Sequence, residues 1–440
     1  MQAGEVLRRT AFEFLDKLHG GKLDKIKKVN KREIVEGVTD AYVQRRLNAV
    51  LGYARTSSAF YRERCKDAQV LADFPVMTKR DYTEHKDEIL ADSFQGREDS
   101  LFKLSTSGST GAPFTVLCDG DKMDRVNMNF ISVMELNGFR MGMKRGEFRV
   151  WIPGRNTISR WKSFKNNLLM IDIANMGDDS LEQICKRIKR QKIQVLVSYS
   201  SALTALAGYI RRKHVDVSSW SVEMIFAMGE ALPQATWEAL KEIFGFAPVR
   251  SYGNNENGFI AVQLHEEERY TTDLYNFYIE ILKLDSDEAA APGELGRIVV
   301  TDYYNRALPM IRYDTGDTGI YQEIYDQAGR KHGYFTEIYG RRGSMMYNCK
   351  GEPLSIHVFM NVLLNLEDTV YQVKCIQWEK KRYEILVNGD RERMDEAALV
   401  ASYRHYLGEE AQIDVTYVEE IPVQASGKRM VCEQKCPDYL

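Results

Sequence analysis

The sequence predicts an α/β protein with a large N-terminal domain of mainly parallel sheets plus a β-rich subdomain, followed by a small mobile α+β C-terminal domain. Three observations carry this expectation. After residue 121, strand-like aliphatic runs alternate with helical stretches, the pattern of βαβ units and a parallel sheet. From about 270 the texture changes to strand runs separated by turns. Gly340-Arg341-Arg342-Gly343 then interrupts that texture, and the last hundred residues repeat strand and helix on a smaller scale. The expected domains are therefore 1–340, with the β-rich subdomain at about 270–340, and 341–440.

Composition narrows the class. A chain of 440 residues, 44% of them hydrophobic, has enough apolar sequence for two cores rather than one. The net charge of -3, without a long basic block, argues against nucleic acid as a partner. Seven scattered cysteines, odd in number, give no disulfide framework, and a reduced, cytoplasmic compartment is expected. Cys432 and Cys436 are the one close pair, with no second pair or nearby histidine to complete a zinc site. No apolar signal segment follows Met1, and no stretch reaches the roughly 18 apolar residues of a membrane span.

Taken in order, residues 4 to 66 place apolar positions at helical spacing, as at Phe12, Leu15 and Leu18, then Val43, Leu47, Val50 and Leu51. Thr78 reads as the N-cap of a helix. Next comes Leu104-Ser105-Thr106-Ser107-Gly108-Ser109-Thr110-Gly111-Ala112-Pro113, a run of hydroxyls and glycines before the strand-like Phe114-Thr115-Val116-Leu117. Glycines let backbone N–H groups turn inward and hydroxyls add donors, so the loop can wrap polyphosphate oxygens; the same composition also fits a flexible linker. A Walker-type loop is excluded, because Ala112-Pro113 stands where Lys and then Ser or Thr would follow.

A helix over about 121–140 leads to a strand at Phe148-Arg149-Val150-Trp151-Ile152. Helix 180–190, strand 193–199, helix 201–213, strand 222–228, helix 234–244 and strand 249–252 follow. Ligands of parallel sheets sit at the carboxyl ends of strands, so Tyr199, Glu230 and the Asn254-Asn255-Glu256 turn are expected on one rim. Strands at 278–284, 297–303 and 319–324 flank Tyr313-Asp314-Thr315-Gly316-Asp317, a carboxylate in a glycine turn that an Asp side chain commonly closes itself. The C-terminal part reads as strands 371–378 and 383–387, helix 394–406 and strand 413–418, and then Ser426-Gly427-Lys428.

The order of these pieces resembles the adenylate-forming superfamily of acyl-CoA synthetases, adenylation domains and luciferases, and within it the phenylacetate-CoA ligase and CapK-like branch. Five signals over nearly the whole chain carry the resemblance: the loop 105–113, Gly229-Glu230, Tyr252-Gly253 with Glu256, Tyr313 to Asp317, and Ser426-Gly427-Lys428. It implies ATP- and Mg²⁺-dependent activation of a small-molecule carboxylic acid as an acyl- or aryl-adenylate, with pyrophosphate released. Ser105, Thr106, Ser107, Gly108, Ser109, Thr110 and Gly111 would cradle the phosphates, and Glu256 would hold Mg²⁺. Asp317 would accept from the ribose hydroxyls, with Gly229, Glu230 and Tyr252 framing adenine beside Gly253 and Asn254. Arg341 would donate to ribose or phosphate. Tyr199, Ser200 and Asn255 are candidates for the acid's pocket.

Lys428, which alone reads as a solvated lysine, is implied as the catalytic residue that draws the carboxylate and the α-phosphate together. Two departures stand out: Ala112 replaces the usual loop lysine, and Gly343-Ser344 occupies the usual hinge position. The expected acceptor is a thiol, most simply coenzyme A as co-substrate. The alternatives are a CapK-like transfer to an amine or hydroxyl, and a non-catalytic nucleotide-binding scaffold. The oligomeric state is left open, a homodimer being one option.

Overall fold

Where the sequence alternates strand with helix, the chain does so in space, with most boundaries moved by a few residues. The computed structural model describes all residues except 1–2, 106–114, 150, 152–156, 174–175, 177, 265–266, 342–345, 352, 355–358, 360–368, 422–429 and 440; for 3, 105, 340, 341, 353 and 439 it describes the backbone alone. The chain forms two units, Met1–Met141 with Ser251–Ile338, and Gly142–Arg250 with Tyr339–Leu440. This differs from the expected domains: residues 142–250 group with the C-terminal hundred, and the expected joint at 340/341 lies beside the last crossing.

The first unit opens with helices α1 (Ala3–Leu18), α2 (Lys22–Glu36), α3 (Asp40–Ser57), α4 (Ala59–Arg64), α5 (Lys79–Glu84) and α6 (Lys86–Ile89). Thr78 caps α5 as expected, its hydroxyl accepting from Asp81 N at 3.3 Å while the Asp81 carboxylate accepts from Thr78 N at 2.8 Å. Strands β1 (Phe102–Ser105) and β2 (Thr115–Cys118) pair antiparallel, Ser105 opposite Thr115, and so bracket the Ser/Gly loop. Helix α7 (Gly120–Leu136) follows, capped by the Asp119 carboxylate.

The second unit begins with β3 (Arg145–Arg149), α8 (Arg160–Lys165), β4 (Leu168–Asp172), α9 (Asp178–Gln191), β5 (Val195–Tyr199), α10 (Ser200–Arg212), β6 (Met224–Met228) and α11 (Gln234–Phe244). The strands run parallel in the order β4-β3-β5-β6, the parallel sheet that the alternation predicts. The strand expected at 148–152 begins three residues earlier. Its start is polar, but Arg145 and Glu147 form an ion pair at 3.0 Å and so enter the fold together. Leu196, Leu203, Ile225 and Leu240 lie at the centre of its core.

The chain returns to the first unit within β7 (Val249–Asn254), followed by β8 (Gly258–Gln263), β9 (Tyr270–Thr272), β10 (Phe277–Leu282), β11 (Leu295–Asp302), β12 (Tyr313–Tyr325) and β13 (Lys331–Arg341). They are ordered β10-β11-β12-β13-β9-β8-β7 over a core that includes Phe60, Tyr61, Phe277, Val300 and Phe335. The C-terminal stretch contributes β14 (Met346–Tyr347), β15 (Pro353–Leu354), β16 (Val370–Glu379), β17 (Arg382–Gly389), α12 (Glu396–Leu407), β18 (Gln412–Tyr417) and β19 (Cys432–Gln434). Its sheet runs β18-β17-β16-β19 over a separate core containing Tyr383, Ile385, Leu399 and Tyr403.

Candidate functional site

In the first unit the site is built on two bulges. Between β11 and β12 the register passes from Arg297 opposite Thr318 to Val299 opposite Asp314, so Thr315, Gly316 and Asp317 together face one residue, Ile298. Gly316 takes φ +76°, and its N–H donates to Asp314 Oδ1 at 2.9 Å, the self-closed turn that the sequence suggests. The bulge swings Asp317 out of the ladder. Between β7 and β8 a second bulge separates Tyr252 from Gly253. A Cβ at 253 would lie 2.3 Å from Gly258 O, so only glycine allows this close strand approach.

These bulges bring Tyr252 and Asp317 together. The buried Tyr252 phenol donates to Asp317 Oδ2 at 3.0 Å, with Thr315 Oγ1 at 3.4 Å, and its ring stands edge-on to Phe335 at 5.8 Å. Burial, then the Asp317 charge, raises the phenol's pKa well above its ordinary value, so it remains a donor. Asp317 itself is half-buried.

Glu256, in the β7–β8 turn, is buried and accepts from the Tyr313 phenol at 3.0 Å. The turn is pinned from α7: the buried Lys122 ammonium pairs with Asp302 and donates to Asn257 O at 2.8 Å. Asn254 Oδ1 accepts from Asn257 N at 2.7 Å. Asn254 Nδ2 and both side-chain polar atoms of Asn257 are buried without a hydrogen-bond partner. Orphaned polar atoms of this kind call for a bound polar group or water. Sequence reading missed Lys122, Tyr313 and Thr315 as supports, although the last two lie inside the Tyr313 to Asp317 motif.

Asp314 and Arg312 have structural engagements. Asp314 pairs with Arg297 at 2.7 Å, and Arg312 with Glu280 at 3.1 Å. Arg312 also donates to the carbonyls of Ala72 and Phe74, and these contacts hold its backbone at φ +46°.

In the second unit, Tyr199, Ser200 and Glu230 come together. Gly229 turns with φ +74° at the end of β6. The Glu230 carboxylate accepts from Ser201 N at 2.8 Å in the first turn of α10, and Ser200 Oγ donates to Glu230 O at 2.9 Å. A carboxylate there satisfies a helix N-terminal N–H and faces the positive end of the dipole. Tyr199 precedes α10, and burial raises its phenol's pKa. Thr106, Ser107, Gly108, Ser109, Thr110, Gly111 and Lys428 lie outside the described residues; Ser105 ends β1 and Arg341 ends β13, described by their backbones. Asn255 is exposed at the tip of its turn.

Comparison with solved structures identifies the fold. A 2-hydroxyisobutyryl-CoA ligase in its postadenylation state, in complex with R3-HIB-AMP, superposes with a TM-score of 0.69 at 16% identity, covering 89% of this chain and 88% of that one. The amide bond synthetase McbA from Marinactinospora thermotolerans superposes with a TM-score of 0.52 at 17% identity, covering 75% of this chain and 67% of that one. The protein therefore has the fold of the adenylate-forming enzymes.

Residues 346–434 match the family of CapK C-terminal domains. Protein CapK of Staphylococcus aureus is 22% identical over 290 residues, which cover 62% of this chain and 61% of CapK. These matches agree with the resemblance carried by the sequence motifs: the fold is that of the adenylate-forming enzymes, and the chain is similar to CapK in sequence, over residues 346–434 to its C-terminal domain.

Proposed function

We propose that this protein is an ATP- and Mg²⁺-dependent carboxylate-activating ligase. The single observation that carries the reading is the Tyr252–Asp317 hydrogen bond across two bulges. It holds a two-oxygen acceptor beside a flat ring, and such an acceptor suits the paired hydroxyls of a ribose. Asp317 receives the ribose, while Tyr252 and the Gly229-Glu230 backbone frame the adenine; the Glu230 carboxylate is already engaged by Ser201 N. The loop from Ser105 to Gly111 holds the phosphates.

The acid's carboxylate oxygen attacks the α-phosphorus of ATP. A new P–O bond forms, the bond from that phosphorus to the bridging oxygen breaks, and pyrophosphate leaves with the electron pair. Lys428 neutralises the approaching anions, and Arg341 adds a planar cation near ribose or phosphate. Among the described residues no group of three or more His, Cys, Asp or Glu side chains could hold a metal. One buried carboxylate, Glu256, fits Mg²⁺, which keeps several waters and takes its remaining ligands from phosphates. When bound, the ion supplies positive charge at the phosphates. Residues 341–440 act as the lid that carries Lys428, and Tyr199, Ser200 and Asn255 line the acid's pocket.

The acyl group then passes to a thiol, most simply coenzyme A: a bond from sulfur to the acyl carbon forms, the bond from that carbon to the AMP oxygen breaks, AMP leaves with the electron pair, and the thiol proton is released. A second reading, transfer to an amine or hydroxyl, is favoured by the CapK C-terminal match over 346–434. No described helix is long and apolar enough to cross a membrane; we place the enzyme in the cytoplasm.

Carboxylate-dependent exchange of labelled pyrophosphate into ATP, over a panel of aryl, aliphatic and amino acids, tests the reading. Exchange with at least one acid is expected, and its loss by ~10²-fold or more in Lys428→Ala with ATP binding kept. No exchange with any acid favours the non-catalytic scaffold. Thioester against amide or ester products, from the acid that exchanges, then separates the two acceptors.

A further inference from the structure

We propose that α8 docks this protein reversibly on an anionic lipid bilayer. Trp161 and Phe164, three residues apart on this helix, are 72% and 65% exposed. Their rings stack at 6.2 Å between centroids with planes 27° apart. Large rings normally supply core area, and two neighbouring ones facing outward form a raised apolar tip.

The tip is held in place. Ser159 caps α8 through Lys162 N at 3.2 Å, and Ser163 Oγ donates to Leu168 O at 2.5 Å, tying the helix to β4.

The surrounding charge selects the partner. Residues 157–171 contain Arg160, Lys162 and Lys165 and no carboxylate, although acidic residues outnumber basic ones in the whole chain. Within α8, Arg160, Lys162 and Lys165 are all exposed beside the rings. Tryptophan prefers the level of lipid headgroups, cations are drawn to anionic ones, and long Lys and Arg stems reach the headgroups while rings sit deeper.

Size points the same way. A six-residue helix is ~9 Å long, too short to present the ~800 Å² per partner of a stable protein interface, whereas weak interfacial anchoring needs only a few rings and charges. The rings also stack on each other, which leaves no gap between them for a nucleic-acid base to enter.

The full-length protein is sedimented with vesicles of phosphatidylglycerol in phosphatidylcholine and with pure phosphatidylcholine, at low and high salt. Binding is expected to the anionic vesicles alone, weakened by salt. Trp161→Ala/Phe164→Ala and Lys162→Glu/Lys165→Glu should each lower the partition by about tenfold or more, with an unchanged circular dichroism spectrum. Both pairs lie on the surface, so folding is not at stake. Absence of binding at low salt, equal binding by the variants, or equal binding to neutral vesicles overturns the proposal. So does a monomer–dimer equilibrium abolished by Trp161→Ala/Phe164→Ala without vesicle binding, which assigns the tip to a second copy. Binding of single-stranded RNA through the same residues without vesicle binding overturns it too.

Discussion

Asp273 and Asp317 are carboxylates of the same unit in opposite surroundings. Asp273 is 2% exposed and accepts from the side-chain amides of Asn129 and Asn276, both at 2.5 Å, and from the N–H groups of Tyr275 and Asn276 at 3.1 Å. Asn276 also donates to Asn30 Oδ1 at 2.7 Å, so the cage links α2, α7 and the segment before β10. Asp317 stands half-buried on a bulge, beside one phenol that lends it a proton. A carboxylate enclosed by donors from several elements fastens them together; one displaced from the ladder by a bulge is the one we propose receives the ribose.

The largest expected effect tests the first half of that contrast. Asp273→Ala leaves the Asn129 and Asn276 amides buried without their acceptor and should destabilise the protein by about 3–5 kcal/mol in denaturant melts. ATP affinity of the folded fraction should hold. Lost ATP binding with unchanged stability would reverse the assignment of the two groups.

Titration sharpens the same point. Burial outweighs the donors and raises the Asp273 pKa to about 6 from 3.8. The folded state then holds a proton that the unfolded chain has lost. The resulting stability is complete below about pH 4 and disappears as pH rises to about 6. Two pKa units correspond to about 3 kcal/mol. The difference in unfolding free energy between wild type and Asp273→Asn should change by about that amount from pH 4 to 6; a flat difference contradicts the burial argument.

Asp317→Ala should weaken ATP binding by ~1.5–3 kcal/mol, the size of a lost charge-assisted hydrogen bond, with stability changed by less than ~1 kcal/mol. Calorimetric titration with ATP reads the first and thermal melts the second. Glu230→Gln keeps an oxygen acceptor for Ser201 N and removes only the charge from the α10 terminus, so a loss of ~0.3–1 kcal/mol in stability is expected. A much larger loss of ATP affinity in that variant would move Glu230 from helix support to nucleotide contact.

Much of this arrangement was legible from local pattern. The helix at Gln234–Phe244 and the Thr78 cap fall where residue spacing puts them, because each depends on neighbours in sequence. The Tyr313 to Asp317 motif announced a carboxylate in a glycine turn. It did not announce that the turn is a bulge inside a 13-residue strand, since a bulge is defined by its partner, β11. Strand β4 and helix α8 went unread, and β3 was placed late because its start is charged. The Asp273 cage was invisible for the same physical reason: Asn30, Asn129, Asp273 and Asn276 come from three separate stretches, and none carries a periodic signal.

The hairpin of β1 and β2 has one more consequence. Ser105 and Thr115 are paired, so the two ends of the segment 106–114 are anchored at adjacent points. For a segment tied at both feet, closure entropy rises with the logarithm of length, by about 0.6 kcal/mol for each doubling. Thermodynamics is therefore nearly indifferent to how long this stretch is, and folding alone places little pressure on its length or wording. In the proposed function, the hydroxyls and glycines written into this stretch answer to the phosphates and not to folding.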